Sequence, residues 1–277
     1  MRDAQRVIKY FALALAAVLI LMIAAGILSL VSLAGMATWN GDLGLGEPSV
    51  VWTEEAENAV RRLEISAEAA SVRIVEVDET DQLVRVESTS EYIESWQDAQ
   101  TLKVVEKAHT HWPWTERSEV TVYVRSGVEF EKVSLNVKAG TLNVEKLVAA
   151  DLELELGAGK THIGELRVSQ RTRIEGGAGV IEVRSGELKN LDLELGAGKA
   201  EIHAKVRGDG RIETGVGKLE LELVGAEEDY KMTIDKGIGS VSLNRRALED
   251  GGIYGKGENL LKIESGVGAV EITTVEE

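Results

Sequence analysis

Apolar and charged residues alternate along most of this chain. Leu152, Leu154 and Leu156 are separated by Glu153 and Glu155, and Leu219, Leu221 and Leu223 by Glu220 and Glu222. A period of two is that of an extended strand with one face turned to a core and one to water. The alternation is cut at regular places by Gly-x-Gly: Gly157-Ala158-Gly159, Gly177-Ala178-Gly179, Gly196-Ala197-Gly198, Gly215-Val216-Gly217, Gly237-Ile238-Gly239 and Gly266-Val267-Gly268, with a degenerate copy ending at Gly140. The second glycines follow one another at near-constant intervals of about 19–20 residues up to Gly217, and at two longer intervals after it. Such a period is one short supersecondary unit of the kind that stacks into solenoids, with glycine at the corners, where a side chain would obstruct close backbone approach.

The predicted fold is therefore all-β: a right-handed β-helix or β-solenoid of about 19–20 residues per coil. Seven such coils at about 4.8 Å each make a rod of roughly 34 Å. Two other geometries fit the pattern. Antiparallel hairpins turning at each Gly-x-Gly would make a β-sandwich. A coil of about twice that length with two glycine corners would explain why LELELGAGK at 152–160 matches LDLELGAGK at 191–199, and RIEGGAG at 173 matches RIETGVG at 211. Residues 131–277 form the Gly-x-Gly solenoid. Residues 50–130 are less regular but strand-like (Val72-Arg-Ile-Val-Glu-Val, Val120-Thr-Val-Tyr-Val) and read as N-terminal β coils and cap, with a helical turn expected over 90–97.

The N-terminus follows another pattern. Residues 10–38 contain no charge, and strongly apolar residues run through them from Phe11 to Leu33. That is longer than the ~20 residues a bilayer core requires, and the summed insertion free energy is on the order of −5 kcal/mol. A transmembrane helix is expected over 10–38, with a cleaved signal peptide ending near Gly35-Met36-Ala37 as the competitor; the length of the apolar run favours the anchor. Arg2, Arg6 and Lys9 precede the span, whereas Asp42, Glu47, Glu54 and Glu55 follow it. This places residues 1–9 in the cytoplasm and everything after the linker, 39–49, outside.

Composition changes the picture in two ways. The 277 residues contain no cysteine and four histidines, which excludes disulfide scaffolds, thiol nucleophiles and Cys/His zinc sites. Net charge is −16, and because Arg2, Arg6 and Lys9 outnumber Asp3 before the span, the part outside is more acidic still. An acidic rod is a poor partner for nucleic acid or anionic lipid, so membrane lipid is met only through the N-terminal helix.

Chemical motifs come close and fail. Gly159-Lys160-Thr161 ends like a phosphate loop, but Leu154 stands where a glycine is required and no helix follows, so no nucleotide is expected. Gly176-Gly177-Ala178-Gly179 approaches a calcium-binding repeat, with Ile181 in place of the aspartate. No cofactor or metal is implied. His162 and His203 flank inward Ile163 and Ile202 and should point outward. The most unusual cluster is His109, His111, Trp112 and Trp114: either an exposed aromatic contact patch or a loop covering the end of the stack. The glutamate columns invite comparison with polysaccharide-active β-helix enzymes. Interleaving with Lys160, Lys199 and Lys218 and an aromatic content of 4% read instead as a solvated face.

The succession Val120-Thr-Val-Tyr-Val, Phe130, Val133-Ser-Leu-Asn-Val-Lys-Ala-Gly140 and then repeated strand-Gly-strand units resembles the bacterial putative-adhesin family, a domain-of-unknown-function group of β-strand-repeat envelope proteins, over residues 60–275. The resemblance implies a β-helix and, in a membrane-anchored type, a role in cell-envelope stress signalling or surface adhesion. It carries over no catalytic residue. The expected function is a membrane-anchored extracytoplasmic interaction or scaffold module, not an enzyme, with an envelope protein or glycan as partner. The alternative is a lyase or glycosidase on the same fold.

Overall fold

The structure is a computed structural model, and it describes residues 49–53, 59–78, 82–107 and 118–276. All belong to the compact unit Gly46–Glu277. Among them fifteen strands join in one sheet. They are β1 (Ser49–Thr53), β2 (Arg62–Ala67), β3 (Ala70–Val77), β4 (Val84–Ser88), β5 (Ile93–Asp98), β6 (Thr101–Glu106), β7 (Ser118–Arg125) and β8 (Phe130–Val183). There follow β9 (Gly186–Lys189), β10 (Leu191–Arg207), β11 (Asp209–Val224), β12 (Tyr230–Leu243), β13 (Arg246–Ala247), β14 (Ile253–Gly255) and β15 (Asn259–Val275).

The repeat stacks in parallel, one rung per Gly-x-Gly. Leu193 lies beside Ile174 on one side and Ile212 on the other, and Leu166 lies beside Gly186. From the first rung of β8 to β11 each neighbour in the ladder is thus the equivalent position of the preceding or following glycine unit. This settles the coil at about 19–20 residues with a single Gly-x-Gly corner, and it excludes both the longer coil and the hairpin sandwich. Within a rung the inward parity switches at the corner. Leu191 and Leu193 face the core before Gly196-Ala197-Gly198, and Ala200, Ile202, Ala204 and Val206 after it. Three corner residues turn the chain onto a second arm whose alternate residues then face the same core.

Gly198 and Gly217 show why the corner is written in glycine. Both have positive φ, 142° and 147°, and a Cβ on either would overlap the carbonyl oxygen of the glycine one rung below, Gly179 or Gly198. The constraint passes from rung to rung, through Gly140, Gly159, Gly179, Gly198, Gly217, Gly268 and Gly239 in that order.

That order departs from simple winding. β15, the last strand, lies between β11 and β12: Leu219 pairs with Val270, which pairs with Val241. The two longest intervals in the glycine series mark the place where the chain steps over one rung, turns back, and fills the gap. The other end repeats the device. β2 and β3 are sandwiched between the rung of β6 and β7, which follows them in sequence, and the first rung of β8. Both ends are then finished by antiparallel strands, β4 and β5 on β7 and β6, and β13 and β14 on β12. Short antiparallel covers blunt edges that would otherwise recruit another chain. The helical turn expected at 90–97 is not formed. Ile93–Asp98 is strand β5, because the antiparallel ladder with β6 gives its backbone hydrogen bonds from end to end on one edge whereas a single helical turn would leave most of it unpaired.

A second corner, without Gly-x-Gly, is held by asparagines, with Gly208 (φ 77°) taking the equivalent place on the rung between them. Asn190, at φ 48°, donates through Nδ2 to the carbonyl of Gln170 on one neighbouring rung and accepts from the amide of Asp209 on the other, at 2.8 and 3.1 Å. Asn259 does the same between Asp229 and Gly208, at 3.1 and 3.0 Å. Their shared signal is an Asn-Leu pair at the start of a strand, 190–191 and 259–260.

Candidate functional site

The stack turns the middle residue of each Gly-x-Gly into a continuous ridge. Ala178, Ala197, Val216, Val267 and Ile238 stand in register on successive rungs, and the glycine contacts place Ala158 next to Ala178. At about 4.8 Å per rung the ridge is about 24 Å long. Side-chain size rises along it from alanine to valine to isoleucine. Val216 and Val267 are 41% and 44% exposed and Ile238 is 74% exposed. With Val180 beside them, four of the seven large apolar side chains exposed among the described residues gather on this one edge. Scattered exposed apolar residues are ordinary; their alignment into a strip is not.

Charged columns run along both flanks. On one, Glu175, Glu194, Glu213, Glu264 and Asp235 are in register and, with Glu155, border a groove of about 900 Å³ floored by the first glycines of the corners. Like charges one rung apart repel, and basic residues two positions earlier offset this. Arg173 reaches Glu175, Asp192 and Glu194 at 2.5, 2.7 and 3.6 Å; Lys262 reaches Glu264 at 2.5 Å; Arg211 pairs with Glu213 and Glu264. On the other flank Glu182, Glu201, Glu220 and Glu271 are in register, with Lys199 held between Glu201 and Glu220 and Lys218 between Glu220 and Glu271. His162 and His203 point outward as expected, onto Glu182 at 3.1 Å and toward Glu222 at 3.7 Å.

These pairs bound the stability in pH. Hydrogen bonds from Arg184 and then His162 hold Glu182 below the ordinary carboxylate range; Lys218 and Lys199 do so for Glu220, and Lys262 for Glu264. Lys199 and Lys218 are held above the ordinary lysine range by the same carboxylates, Glu201 first for Lys199 and Glu220 first for Lys218. A carboxylate lowered on folding stabilises the fold above its unfolded value and ceases to as pH falls through its folded value. A lysine raised on folding does so below its unfolded value and ceases to as pH rises through its folded value. The melting temperature should therefore stay level across neutral pH, drop below about pH 4.5 and drop again above about pH 10.5. Thermal unfolding followed by circular dichroism down to about pH 3 would check the acid limb. A melting temperature that rose on acidification would contradict it.

Most of these carboxylates are solvent-facing and ion-paired with basic neighbours on their own or the adjacent rung. Among the described residues no group of three or more His, Cys, Asp or Glu side chains is placed to hold a metal ion.

The signature of one domain family, Toastrack DUF4097, spans residues 60–251, well over half of the sequence. The chain belongs to the Toastrack DUF4097 family. This bears out the resemblance to β-strand-repeat proteins of unknown function. The Toastrack chain is also similar to three crystal structures. A putative cell adhesion protein from Clostridium sporogenes is 16% identical, over 83% of this chain and 99% of that one, with a TM-score of 0.33. A putative adhesin from Bacteroides fragilis is 10% identical, over 81% and 95%, with a TM-score of 0.37. A protein from Parabacteroides distasonis described as a putative lipid binding protein is 11% identical, over 82% and 97%, with a TM-score of 0.34. No curated protein sequence matches the chain.

His109, His111, Trp112 and Trp114 lie outside the described residues, between β6 and β7 of the Toastrack domain. So does the apolar segment 10–38; among the described residues no helix is long and apolar enough to cross a membrane. The ridge is legible residue by residue as the variable position of the repeat, but its alignment into one strip requires the register.

A polar group with no signal in the repeat lies at the N-terminal corner. Glu106, at the end of β6, is 4% exposed, and its Oε2 accepts from the amides of Glu68 and Ala69, both at 2.8 Å. These amides belong to the turn between β2 and β3, where Ala67-Glu68-Ala69-Ala70 replaces Gly-x-Gly, so a side chain from the next rung supplies the acceptor that holds the turn. Oε1 of Glu106 is buried without a hydrogen bond.

Proposed function

We propose that this Toastrack chain is a membrane-anchored extracytoplasmic interaction module that docks an envelope protein along its corner ridge. Residues 10–38 supply the anchor, with residues 1–9 in the cytoplasm and the β domain outside, as the flanking charges direct. The observation that carries the reading is the in-register apolar strip Ala158 to Ile238, bordered on both sides by charged columns. A strip of this kind fits a partner with a complementary apolar edge and basic groups beside it, since the groove flank is mostly acidic. A protein fits better than a glycan because the strip consists of small aliphatic side chains and offers no aromatic face on which a sugar ring could stack. Adhesion and stress signalling differ in where the partner resides, on another surface or in the same envelope.

Crosslinking on intact cells with a reagent that does not cross the membrane, followed by capture of the full chain, tests this. Val216→Lys, Val267→Lys and Ile238→Lys should abolish capture of a defined partner while leaving the melting temperature within a few degrees, because all three side chains are solvent-exposed. Capture that survives all three substitutions, or turnover of an envelope glycan lost on replacing one Glu pair, would overturn the reading. A partner recovered from the same cells favours signalling.

A further inference from the structure

β15 is the last strand among the described residues, yet it fills an interior position. Asp209 to Val224 of β11 pair with Leu260 to Val275 on one side, and Asn259 to Ile272 pair with Tyr230 to Leu243 of β12 on the other. We propose that the slot between β11 and β12 is a strand-acceptor site that takes either the chain's own β15 or the β15 of a second copy, so that two molecules pair by exchanging their last rungs.

Four features of the fold support the exchange. First, a second copy's β15 would make the same ladders on both sides. It would bury the same Leu261, Ile263, Val270 and Ile272 and set the same Asn259 between Gly208 and Asp229. Reciprocal exchange of an identical element differs from the closed monomer chiefly in the hinge and in the entropy of association. Second, the hinge is short. Only residues 256–258, Lys-Gly-Glu, separate β14 from β15, and short connections favour an open, exchanged form.

Third, the empty slot can close. β11 and β12 carry the same corner, Gly215-Val216-Gly217 and Gly237-Ile238-Gly239, and both lie in register with Gly266-Val267-Gly268 of β15. When β15 is out, β12 can settle directly on β11, with Ile234 over Ile212, Val241 over Leu219 and Leu243 over Leu221. The transient form then exposes little edge, which lowers the cost of opening. Fourth, the interval from Gly217 to Gly239 is only slightly longer than that between directly stacked rungs, so the loop between them spans one step or two.

The protein has no cysteine, so every thiol in the experiment is introduced. Glu222 of β11 and Thr273 of β15 are register partners on the outer face. Full chains carrying Glu222→Cys alone and Thr273→Cys alone, held in detergent for the apolar 10–38 segment, are mixed in native buffer and oxidised after increasing times. A mixed disulfide joining the two chains should accumulate with time and protein concentration, well above the Thr273→Cys homodisulfide that measures chance collision. Adding Asn259→Ala, which removes both corner hydrogen bonds, should speed its appearance. The double variant in one chain should close internally when dilute and crosslink between chains when concentrated. A mixed disulfide that never exceeds the collision level overturns the proposal. Sedimentation of the unsubstituted chain gives an independent reading: a reversible dimer is expected, and a strictly monomeric chain at every concentration overturns it as well.

Discussion

Gly217→Ala should lower the free energy of unfolding by about 3–5 kcal/mol, a larger loss than most single substitutions cause. Two costs coincide. At φ 147° an L side chain is strained by about 1–3 kcal/mol, and the added Cβ overlaps the Gly198 carbonyl, so the rungs must separate locally at a cost of about 1–3 kcal/mol. The neighbouring carbonyl is backbone, pinned by its own ladder, and cannot rotate aside as a side chain would. Gly127→Ala supplies the control: its φ is 79° but nothing lies within 4 Å of the added carbon, so the cost should be confined to the strain, about 1 kcal/mol. Urea unfolding of both variants measures the difference. If Gly217→Ala were no worse than Gly127→Ala, the glycine ladder would not be what holds the rungs at their spacing.

Glu106→Ala should cost about 2–4 kcal/mol, although glutamate is usually a surface residue and this one is followed by a lysine. Its loss removes the acceptor for two amides, each worth about 1–3 kcal/mol when buried without a partner. Glu106→Gln keeps an oxygen in place and should recover more than half of the loss, whereas Glu106→Leu, which restores bulk without an acceptor, should recover little. Hydrogen exchange at Glu68 and Ala69 locates the effect: both amides should lose protection in Glu106→Ala and largely keep it in Glu106→Gln. Unchanged protection would show that the turn is held by something else.

Much of the fold is legible one strand at a time. The Leu-Glu alternation of 152–156 and 219–223 states which face is buried, because a side chain's direction in a strand depends only on its own position. The Gly-x-Gly period states the spacing of the corners, but that one corner closes each rung is shown only by the register of the ladder, in which Leu193 lies beside Ile174 and Ile212. Glu106 is not legible in this way, since its role depends on amides 37 and 38 residues away that only stacking brings near. The same holds for the exposed strip: Ala197 and Ile238 are ordinary residues until the register sets them on one line.

The sequence by itself determined that this chain is a β-repeat punctuated by glycine corners, with an apolar face on each strand and an acidic, charge-interleaved surface. All of these follow from interactions within a rung or with an equivalent rung. Tertiary structure decided the order of the rungs. Any two rungs with the same corner and the same inward Leu, Ile and Val can stack, so local pattern leaves their order degenerate. The degeneracy is lifted by features outside the repeat: the extra residues before β12, the antiparallel covers at each end, and the asparagine that joins Gly208 to Asp229 across the last strand.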